Sequence, residues 1–359
     1  MKSERNLKKF GERENEKNKL LLATAILATA LGTASLNQNV KSETAGVSEN
    51  AKLIVKKTFD SYTDNEVLMP KADYTFKVEA DSSATDKTKD GLEIKPGVTE
   101  GLTTEQTIAY DNSVKPSDKS KTATFDFSTV KFPEVGVYRY TVSEIDSKVS
   151  GIKYDTKTWI VDVYVVNDGN GGFKARYIVS KEKGQNDKKP VVFENSFKTT
   201  SLKVEKQVTG NTGELKKDFN FTLTINPNDN FVAGQVIKLE KGGIKADVKI
   251  GEPYKFALKN GEKVTLSKLP VGVTYSITED EADKDGYTTN AKITDGTAAP
   301  VEYKLGNQQL TDESADEIVV TNNRDTQVPT GVVGTLAPFA VLSIVAIGGV
   351  IYITKRKKA

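Results

Sequence analysis

The segment Trp159-Ile-Val-Asp-Val-Tyr-Val-Val166, followed directly by Asn167-Asp-Gly-Asn-Gly-Gly172, is an apolar, β-branched run that ends in a cluster of turn-forming residues. This combination predicts a β-strand and a tight turn. Similar runs of Val, Ile, Tyr, Phe and Thr recur from Ala51 to Asn323, without a long helical period. Polar stretches at residues 81–91 and 293–316 predict loops. The middle of the chain is therefore expected to be all-β and built from β-sandwiches.

Short motifs occur in the same order in the two halves of this region, which predicts two tandem domains. The matching pairs are Leu53–Lys57 with Leu202–Lys206, Asp73–Val78 with Asp218–Leu223, Tyr140–Glu144 with Tyr275–Glu279, and Val191–Asn195 with Ile318–Asn322. The repeat places a boundary near Thr199. We expect an N-terminal domain over residues 46–199 and a C-terminal domain over residues 200–325.

The composition excludes several classes of function. The 359 residues include no cysteine and no histidine, which rules out disulfides, Cys/His zinc sites, thiol nucleophiles and histidine-based triads. The sequence also lacks a phosphate-binding glycine loop, a Gly-x-Ser-x-Gly motif and a metal-ligand cluster, so we expect no enzyme, no metal and no cofactor. The 51 basic and 49 acidic residues are interspersed, and no nucleic-acid partner is expected.

The N-terminus has the pattern of an export signal. A Lys-rich stretch precedes the apolar run Leu20–Leu31, and small residues follow it. This order is typical of a secretory signal peptide, with cleavage after Ala34 or near Ala45. We therefore assign residues 1–45 to a signal peptide and leader; a buried N-terminal helix is the alternative.

Residues 326–359 combine a short motif, an apolar span and a basic tail. The motif consists of Gln327, Val328, Pro329, Thr330 and Gly331. The apolar span, 332–354, reaches about 34 Å at ~1.5 Å per residue, which is enough to cross a bilayer. The basic tail, 355–358, would stay in the cytoplasm and leave the rest of the chain outside.

This C-terminal order resembles the sorting signal of sortase-processed Gram-positive surface proteins. The usual motif has Leu where this chain has Val328, and it has one residue between the positions of Pro329 and Thr330, so that a dedicated sortase is implied. The resemblance implies cleavage between Thr330 and Gly331 and transfer of the Thr330 acyl group to an amine. An ordinary stop-transfer anchor is the alternative.

Three polar residues in each half share a strand face with core residues. Side chains two apart on a strand point to the same side, so Lys57 points inward with Leu53 and Val55. The same alternation turns Glu144 and Asn195 inward. A single such residue is usually a rim residue, but the second half repeats the set in the same order. The repeated set is Lys206, Glu279 and Asn322.

A buried Lys–Glu–Asn cluster is costly unless its members satisfy one another, and it has a specific chemistry. Apolar surroundings favour the neutral amine of Lys, which lowers its pKa and makes it a nucleophile. They also favour protonated Glu, which can polarise the Asn carbonyl and shuttle a proton to leaving ammonia. The expected product is an intramolecular Lys–Asn isopeptide bond, formed once and without turnover.

The two β-domains, the two clusters and the Val-Pro-Thr-Gly motif together resemble the backbone pilins of Gram-positive pili, specifically the streptococcal T-antigen pilins. The resemblance implies tandem Ig-like (CnaB-type) β-sandwiches, each with an autocatalytic bond between its first and last strands. It implies the bonds Lys57–Asn195, with Glu144 as proton shuttle, and Lys206–Asn322, with Glu279 in that role.

The same resemblance implies how copies are joined. Thr330 of one subunit would be transferred by a sortase to a Lys that precedes the last strand of the next subunit's N-terminal domain. Lys188 is the first choice and Lys189 the second. The implied partners are sortase, further copies of the chain, accessory pilins and peptidoglycan. The alternative is a monomeric wall-anchored adhesin of the same fold that binds a host ligand.

The implied location is a secreted, wall-anchored surface pilus used for adhesion and colonisation. The chain would then be bound to the membrane only as a precursor.

Overall fold

The computed structural model describes residues 46–60, 62–88 and 91–326 of the chain. The predicted leader (1–45) and the sorting motif, apolar span and basic tail (327–358) lie outside the described residues. Over the described part of the chain, the helical content is one 3-10 turn, Pro116–Asp118. No helix there is long and apolar enough to span a membrane. The all-β prediction is confirmed.

Eleven strands form the N-terminal half of the structure. They are β1 (Val47–Glu49), β2 (Lys52–Phe59), β3 (Ala72–Ala80), β4 (Ile94–Pro96), β5 (Glu105–Tyr110), β6 (Lys121–Asp126), β7 (Gly136–Glu144), β8 (Ile152–Lys153), β9 (Thr158–Asn167), β10 (Phe173–Glu182) and β11 (Val191–Phe197). The larger sheet has the order β1-β10-β9-β7-β3-β5, with β4 added beside β7. The smaller sheet has the order β6-β2-β11-β8, and its neighbours β2 and β11 run parallel.

Eleven further strands form the C-terminal half. They are β12 (Thr199–Thr209), β13 (Phe219–Asn226), β14 (Val236–Lys241), β15 (Ile244–Lys249), β16 (Tyr254–Leu258), β17 (Lys263–Pro270), β18 (Thr274–Glu279), β19 (Thr288–Asp295), β20 (Val301–Glu302), β21 (Gln309–Leu310) and β22 (Asp316–Asn323). One sheet has the order β15-β14-β17-β12-β22-β19-β20 and the other β16-β13-β18-β21. The parallel neighbours are now β12 and β22.

Each pair of sheets encloses its own hydrophobic core. The alternation in β2 shows why, because every second residue from Leu53 to Phe59 is buried while the residues between them face outward. The described strands of one half pair only with strands of the same half. Tandem β-sandwiches are therefore confirmed. The first sandwich ends with β11 at Phe197, and β12 begins at Thr199.

The predicted loop at residues 293–316 is partly wrong. Strand β19 continues to Asp295, and the two-residue strands β20 and β21 lie within the segment. Val301 and Leu310 on these short strands are 60% and 59% exposed. Strands that are short and largely solvated carry no apolar alternation, so the sequence pattern does not reveal them.

The segment between β2 and β3 contacts the C-terminal sandwich through ion pairs and hydrogen bonds. Its Asp64 and Glu66 carboxylates pair with Lys268 of β17, and Glu66 also pairs with Lys245 of β15 at 2.9 Å. At its end, the backbone N–H of Lys71 donates to the carbonyl of Asn230 at 2.8 Å. The Asn230 side-chain amide donates back to the Lys71 carbonyl at 2.8 Å. We call residues 62–71 the interdomain strap.

Candidate crosslinking sites

The three predicted polar residues of the N-terminal domain meet in its core. Lys57 lies near the end of β2, Glu144 at the end of β7, and Asn195 within β11. The side chains of Lys57 and Glu144 are 0% exposed, and Asn195 is fully buried. Lys57 and Asn195 come from neighbouring strands of the smaller sheet, whereas Glu144 reaches them from the facing sheet.

One carboxylate oxygen of Glu144 contacts both of the other residues. Lys57 Nζ lies 2.9 Å from Glu144 Oε1, an ion-pair contact in which Nζ lacks the geometry of a hydrogen bond. Asn195 Nδ2 donates a hydrogen bond to the same Oε1 at 2.9 Å. The oxygen therefore lies between the amine that would attack and the amide nitrogen that would leave.

The C-terminal domain contains a second cluster of the same kind. Lys206 Nζ lies 3.2 Å from Glu279 Oε1 and 3.1 Å from Oε2. Asn322 Nδ2 donates to Glu279 Oε1 at 2.5 Å. Lys206 and Asn322 are fully buried, and Glu279 is 7% exposed. Glu279 again belongs to the sheet that faces the strands of Lys206 and Asn322.

Strand register explains why both clusters have the same arrangement. Lys57 is paired with Phe193, so Asn195 lies two residues further along the parallel neighbour. Lys206 is paired with Val320, and Asn322 likewise lies two residues further. Residues two apart point to the same side of a sheet, so each Asn points into the core beside its Lys.

The position of each glutamate is fixed by a matching pair in the facing sheet. Glu144 is paired with Phe76 of β3, and Glu279 with Phe221 of β13. Both glutamates therefore lie opposite the equivalent phenylalanine of the repeated motif, which forms β3 in one domain and β13 in the other.

Burial sets the protonation chemistry of the clusters. It lowers the pKa of Lys57 from 10.5 to about 8, although the nearby Glu144 carboxylate opposes this shift. Burial also lowers the pKa of Lys206 to about 8, again opposed by Glu279. For Glu144 and Glu279, burial raises the pKa above the usual 4.5, opposed by the paired Lys. Both partners are thus shifted towards their uncharged forms.

Aromatic rings form much of the apolar wall around each amine. Lys57 Nζ lies 5.2 Å and 4.9 Å from the ring centroids of Phe59 and Tyr74. Lys206 Nζ lies 4.4 Å and 5.8 Å from those of Phe219 and Phe221. These rings exclude water from the amine, which keeps it reactive once it is neutral.

The two clusters differ at the carbonyl of the asparagine. Asn195 Oδ1 accepts a hydrogen bond from the backbone N–H of Asp155 at 2.8 Å. Asn322 Oδ1 is buried and has no hydrogen-bond partner among the described residues. The contact between Asp155 and Asn195 was not predicted from the sequence. Asp155 precedes a strand in the turn-forming pair Asp155-Thr156, and nothing in that pattern indicates that its N–H contacts Asn195.

Both candidate acceptor lysines lie just before β11. Lys188 is half-buried and forms an isolated bridge with Lys181 of β10. The side chain of Lys189 is exposed, and its backbone N–H donates to the Ser180 carbonyl at 3.0 Å. The structure therefore places both lysines at the edge of the N-terminal domain.

The last described residues are tied to the C-terminal domain. The Asn211 side chain accepts from the backbone N–H of Thr326 at 2.9 Å and donates to the Thr326 carbonyl at 3.0 Å. Sequence reasoning missed this contact. No group of three or more potential metal ligands occurs within residues 46–60, 62–88 and 91–326.

Comparison with known proteins defines the class. Residues 38–198 match the family model of the Spy0128-like isopeptide containing domain, and residues 200–324 match a domain family of unknown function. The chain is 40% identical over 352 residues to a pilin of Streptococcus pyogenes serotype M1, covering 95% of this chain and 98% of that protein. These matches define a pilus subunit with an isopeptide-containing domain.

Solved structures give a closer assignment. The major pilin T3.2 of S. pyogenes is 65% identical, with a TM-score of 0.77 and coverage of 78% of this chain and 100% of that one. The major pilin T-13 of S. pyogenes is 52% identical, with a TM-score of 0.71 and coverage of 79% and 100%. The chain belongs to the family of streptococcal major pilins.

Proposed function

We propose that this chain is the backbone subunit of a sortase-assembled surface pilus in which each domain closes itself with one isopeptide bond. The bonds join Lys57 to Asn195 and Lys206 to Asn322. Glu144 and Glu279 act as proton shuttles, each used once. The chain is then a structural protein and a substrate of sortase.

The observation that carries this proposal is the repetition of one buried arrangement in two separate cores. In both, Lys and Asn share parallel neighbouring strands with the same two-residue offset, and one glutamate oxygen contacts both side chains. An unreacted buried Lys–Glu pair is expensive in free energy, because both ions lose hydration. The repetition therefore supports a reaction that removes the buried charges.

The intact mass of residues 46–326 tests the bonds. Both hydrophobic cores lie within these residues, and the solved relatives are matched over their full length by 78–79% of this chain, so the segment is expected to fold alone. Two bonds predict a mass two ammonia molecules below that of the plain sequence. Glu144→Ala and Glu279→Ala should each restore one ammonia. A parent mass equal to the plain sequence would refute the crosslinks.

Assembly is proposed to join Thr330 of one copy to Lys188 of the next. The position of Lys188 before β11, at the edge of the domain, supports this choice, and the neighbouring Lys189 offers a matched control. Lys188→Ala should abolish the ladder of covalent polymers in boiled wall extracts while both internal bonds still form. Lys189→Ala should keep the ladder. A ladder that persists in Lys188→Ala and disappears in Lys189→Ala would reassign the acceptor.

The same extracts separate the backbone function from the alternative. A monomeric wall-anchored adhesin would give a single band from the unmodified chain. Sortase, accessory pilins and peptidoglycan remain the proposed partners, and the wall-anchored pilus the proposed location.

A further inference from the structure

Asn195 and its glutamate meet through the amide nitrogen of the asparagine rather than through its carbonyl. Glu144 Oε1 accepts from Asn195 Nδ2 at 2.9 Å, so this carboxyl group contacts the leaving nitrogen. The carbonyl oxygen, Oδ1, is contacted by the backbone N–H of Asp155 at 2.8 Å. We propose that this N–H is the oxyanion donor of the N-terminal crosslinking reaction, and that the Asp155 carboxylate holds it in position. The inference rests on the proposed isopeptide bond.

The Asp155 side chain is tied to the strand that carries the reacting residue. Its Oδ2 accepts from the backbone N–H of Glu194, the neighbour of Asn195, at 2.8 Å. Its Oδ1 accepts from the backbone N–H of Lys157 at 2.9 Å, which closes a tight turn. The side chain is only 6% exposed. These contacts fix the turn against β11, so the N–H of Asp155 is aimed at the asparagine carbonyl before reaction.

The reaction balances with these groups alone. The Lys57 ammonium first gives one proton to Glu144 Oε1. Nζ then attacks Cγ of Asn195, and the carbonyl electron pair moves onto Oδ1, where the Asp155 N–H stabilises the negative charge. Glu144 gives its proton to Nδ2 and takes a second proton from Nζ. The Cγ–Nδ2 bond breaks, ammonia leaves, and the carbonyl reforms.

The products account for every proton. One of the three protons on the Lys57 ammonium stays on the new amide nitrogen, one leaves with ammonia and one remains on Glu144, which ends as the neutral acid. Glu144 thus transfers protons and Asp155 stabilises the oxyanion. In the C-terminal domain, the buried Asn322 Oδ1 has no corresponding donor among the described residues. Its bond is therefore expected to form more slowly.

An ester in place of one amide tests the role of the Asp155 N–H directly. L-malic acid, the α-hydroxy analogue of aspartate, is introduced at position 155 by an acylated suppressor tRNA in cell-free translation of residues 46–326. The matched control carries the same ester at Asp60, whose N–H donates to the backbone carbonyl of Asn195 at 3.1 Å. Samples are quenched over time, and peptide mapping gives the crosslinked fraction of each domain separately.

The ester at position 155 should slow the Lys57–Asn195 bond by about 100-fold, as expected for loss of one oxyanion donor. The ester at position 60 should leave this rate close to that of the unmodified chain. The Lys206–Asn322 bond in the same molecules should form at an unchanged rate and reports correct folding of the C-terminal domain. Equal rates for the two esters would overturn the proposal.

Side-chain variants test the positioning role and also serve if the ester prevents folding of the N-terminal domain. Asp155→Ala keeps the N–H but loses the carboxylate's contacts with the backbone N–H groups of Glu194 and Lys157 and with the Lys157 ammonium at 3.2 Å, and should slow the N-terminal bond by about 10-fold. Asp155→Asn keeps an acceptor and should recover most of the rate. Equal rates for Ala and Asn would overturn the positioning role. If neither bond forms in the unmodified chain, the proposed function itself fails, which is a different result.

Discussion

The two domains place the same cluster in different sheets. In the N-terminal domain, Lys57 and Asn195 belong to the four-stranded sheet, and Glu144 belongs to the seven-stranded sheet. In the C-terminal domain the roles are exchanged, because β12 and β22 are central in the seven-stranded sheet and Glu279 comes from the four-stranded one. The geometry therefore depends on parallel neighbouring strands with a facing glutamate. It does not depend on sheet size.

The domains also differ in how they would carry force along a pilus. With Lys188 as acceptor, tension enters just before β11 and leaves after Thr326. The backbone from Lys188 runs directly through β11 into β12, so residues 46–187 lie outside this path. In the C-terminal domain, the path crosses from Lys206 to Asn322 through the proposed bond. Only one of the two crosslinks is then under direct tension.

The largest expected effect is on extension under force. Asn322 lies 116 positions after Lys206, so Asn322→Ala should lengthen the chain by about 400 Å when the C-terminal domain unfolds, at ~3.4 Å per residue. The matched variant Asn195→Ala should add no length. Single-molecule pulling between Lys188 and a handle after Thr326 measures this. Added length in Asn195→Ala would contradict the proposed path.

The next effect is on stability, where the two crosslinks should be almost equal. They close 138 and 116 positions, and loop entropy grows only with the logarithm of length. Asn195→Ala and Asn322→Ala should each remove about 5 kcal/mol from the free energy of unfolding of the domain concerned. In each variant, calorimetry should show that the unfolding transition of one domain moves to a lower temperature, while that of the other domain does not.

A second route to the same uncrosslinked state controls for the lost asparagine. Glu144→Gln and Glu279→Gln keep the Asn but remove the proton shuttle. Each should lower the unfolding temperature of the same domain as the Asn→Ala variant does. If the mass shows that a variant lacks its bond but its domain is as stable as in the parent, the crosslink does not stabilise that domain.

A smaller effect is expected on pH dependence. In uncrosslinked Asn195→Ala, Lys57 keeps its amine, with a pKa lowered to about 8 by burial. Between about pH 8 and 10.5 the unfolded chain then binds more protons than the folded chain. The free energy of unfolding should therefore rise with pH in this window, by up to about 3 kcal/mol.

Urea unfolding of the N-terminal domain at a series of pH values measures this rise. In the crosslinked parent, Lys57 Nζ is part of an amide and cannot titrate. The difference between parent and variant should therefore narrow as the pH increases. Parallel profiles for the two proteins would mean that folding does not lower the pKa of Lys57 in the variant.

Most residues of the two Lys–Glu–Asn clusters could be predicted from strand alternation, because the two-residue period is a local property of the sequence. It identified Lys57 beside Val55 and Glu279 beside Ile277 as inward-facing. The contact between Asp155 and Asn195 depends instead on how β8 and the following turn lie against β11, across 40 positions of sequence. The exchange of roles between the sheets also depends on pairing of distant strands. Neither leaves a periodic pattern in the sequence.

The smallest expected effect concerns the interdomain strap. Its Asp64 and Glu66 carboxylates pair with Lys268 and Lys245 at partly exposed positions, where salt screens ion pairs. Lys268→Ala should leave both unfolding transitions nearly unchanged but broaden the range of angles between the domains. The backbone contact between Lys71 and Asn230 should keep the domains associated.

Distances between two spin labels can measure this broadening, since the chain has no native cysteine to interfere. Ser128→Cys and Thr297→Cys place the labels at exposed positions, one in each domain. The distance distribution should widen in Lys268→Ala, and the parent should show a similar widening at 1 M salt, where the Debye length is about 3 Å. Lys238→Ala is the control, because Lys238 pairs with Asp247 within its own domain. Equal widening in both variants would mean that the strap does not fix the interdomain angle.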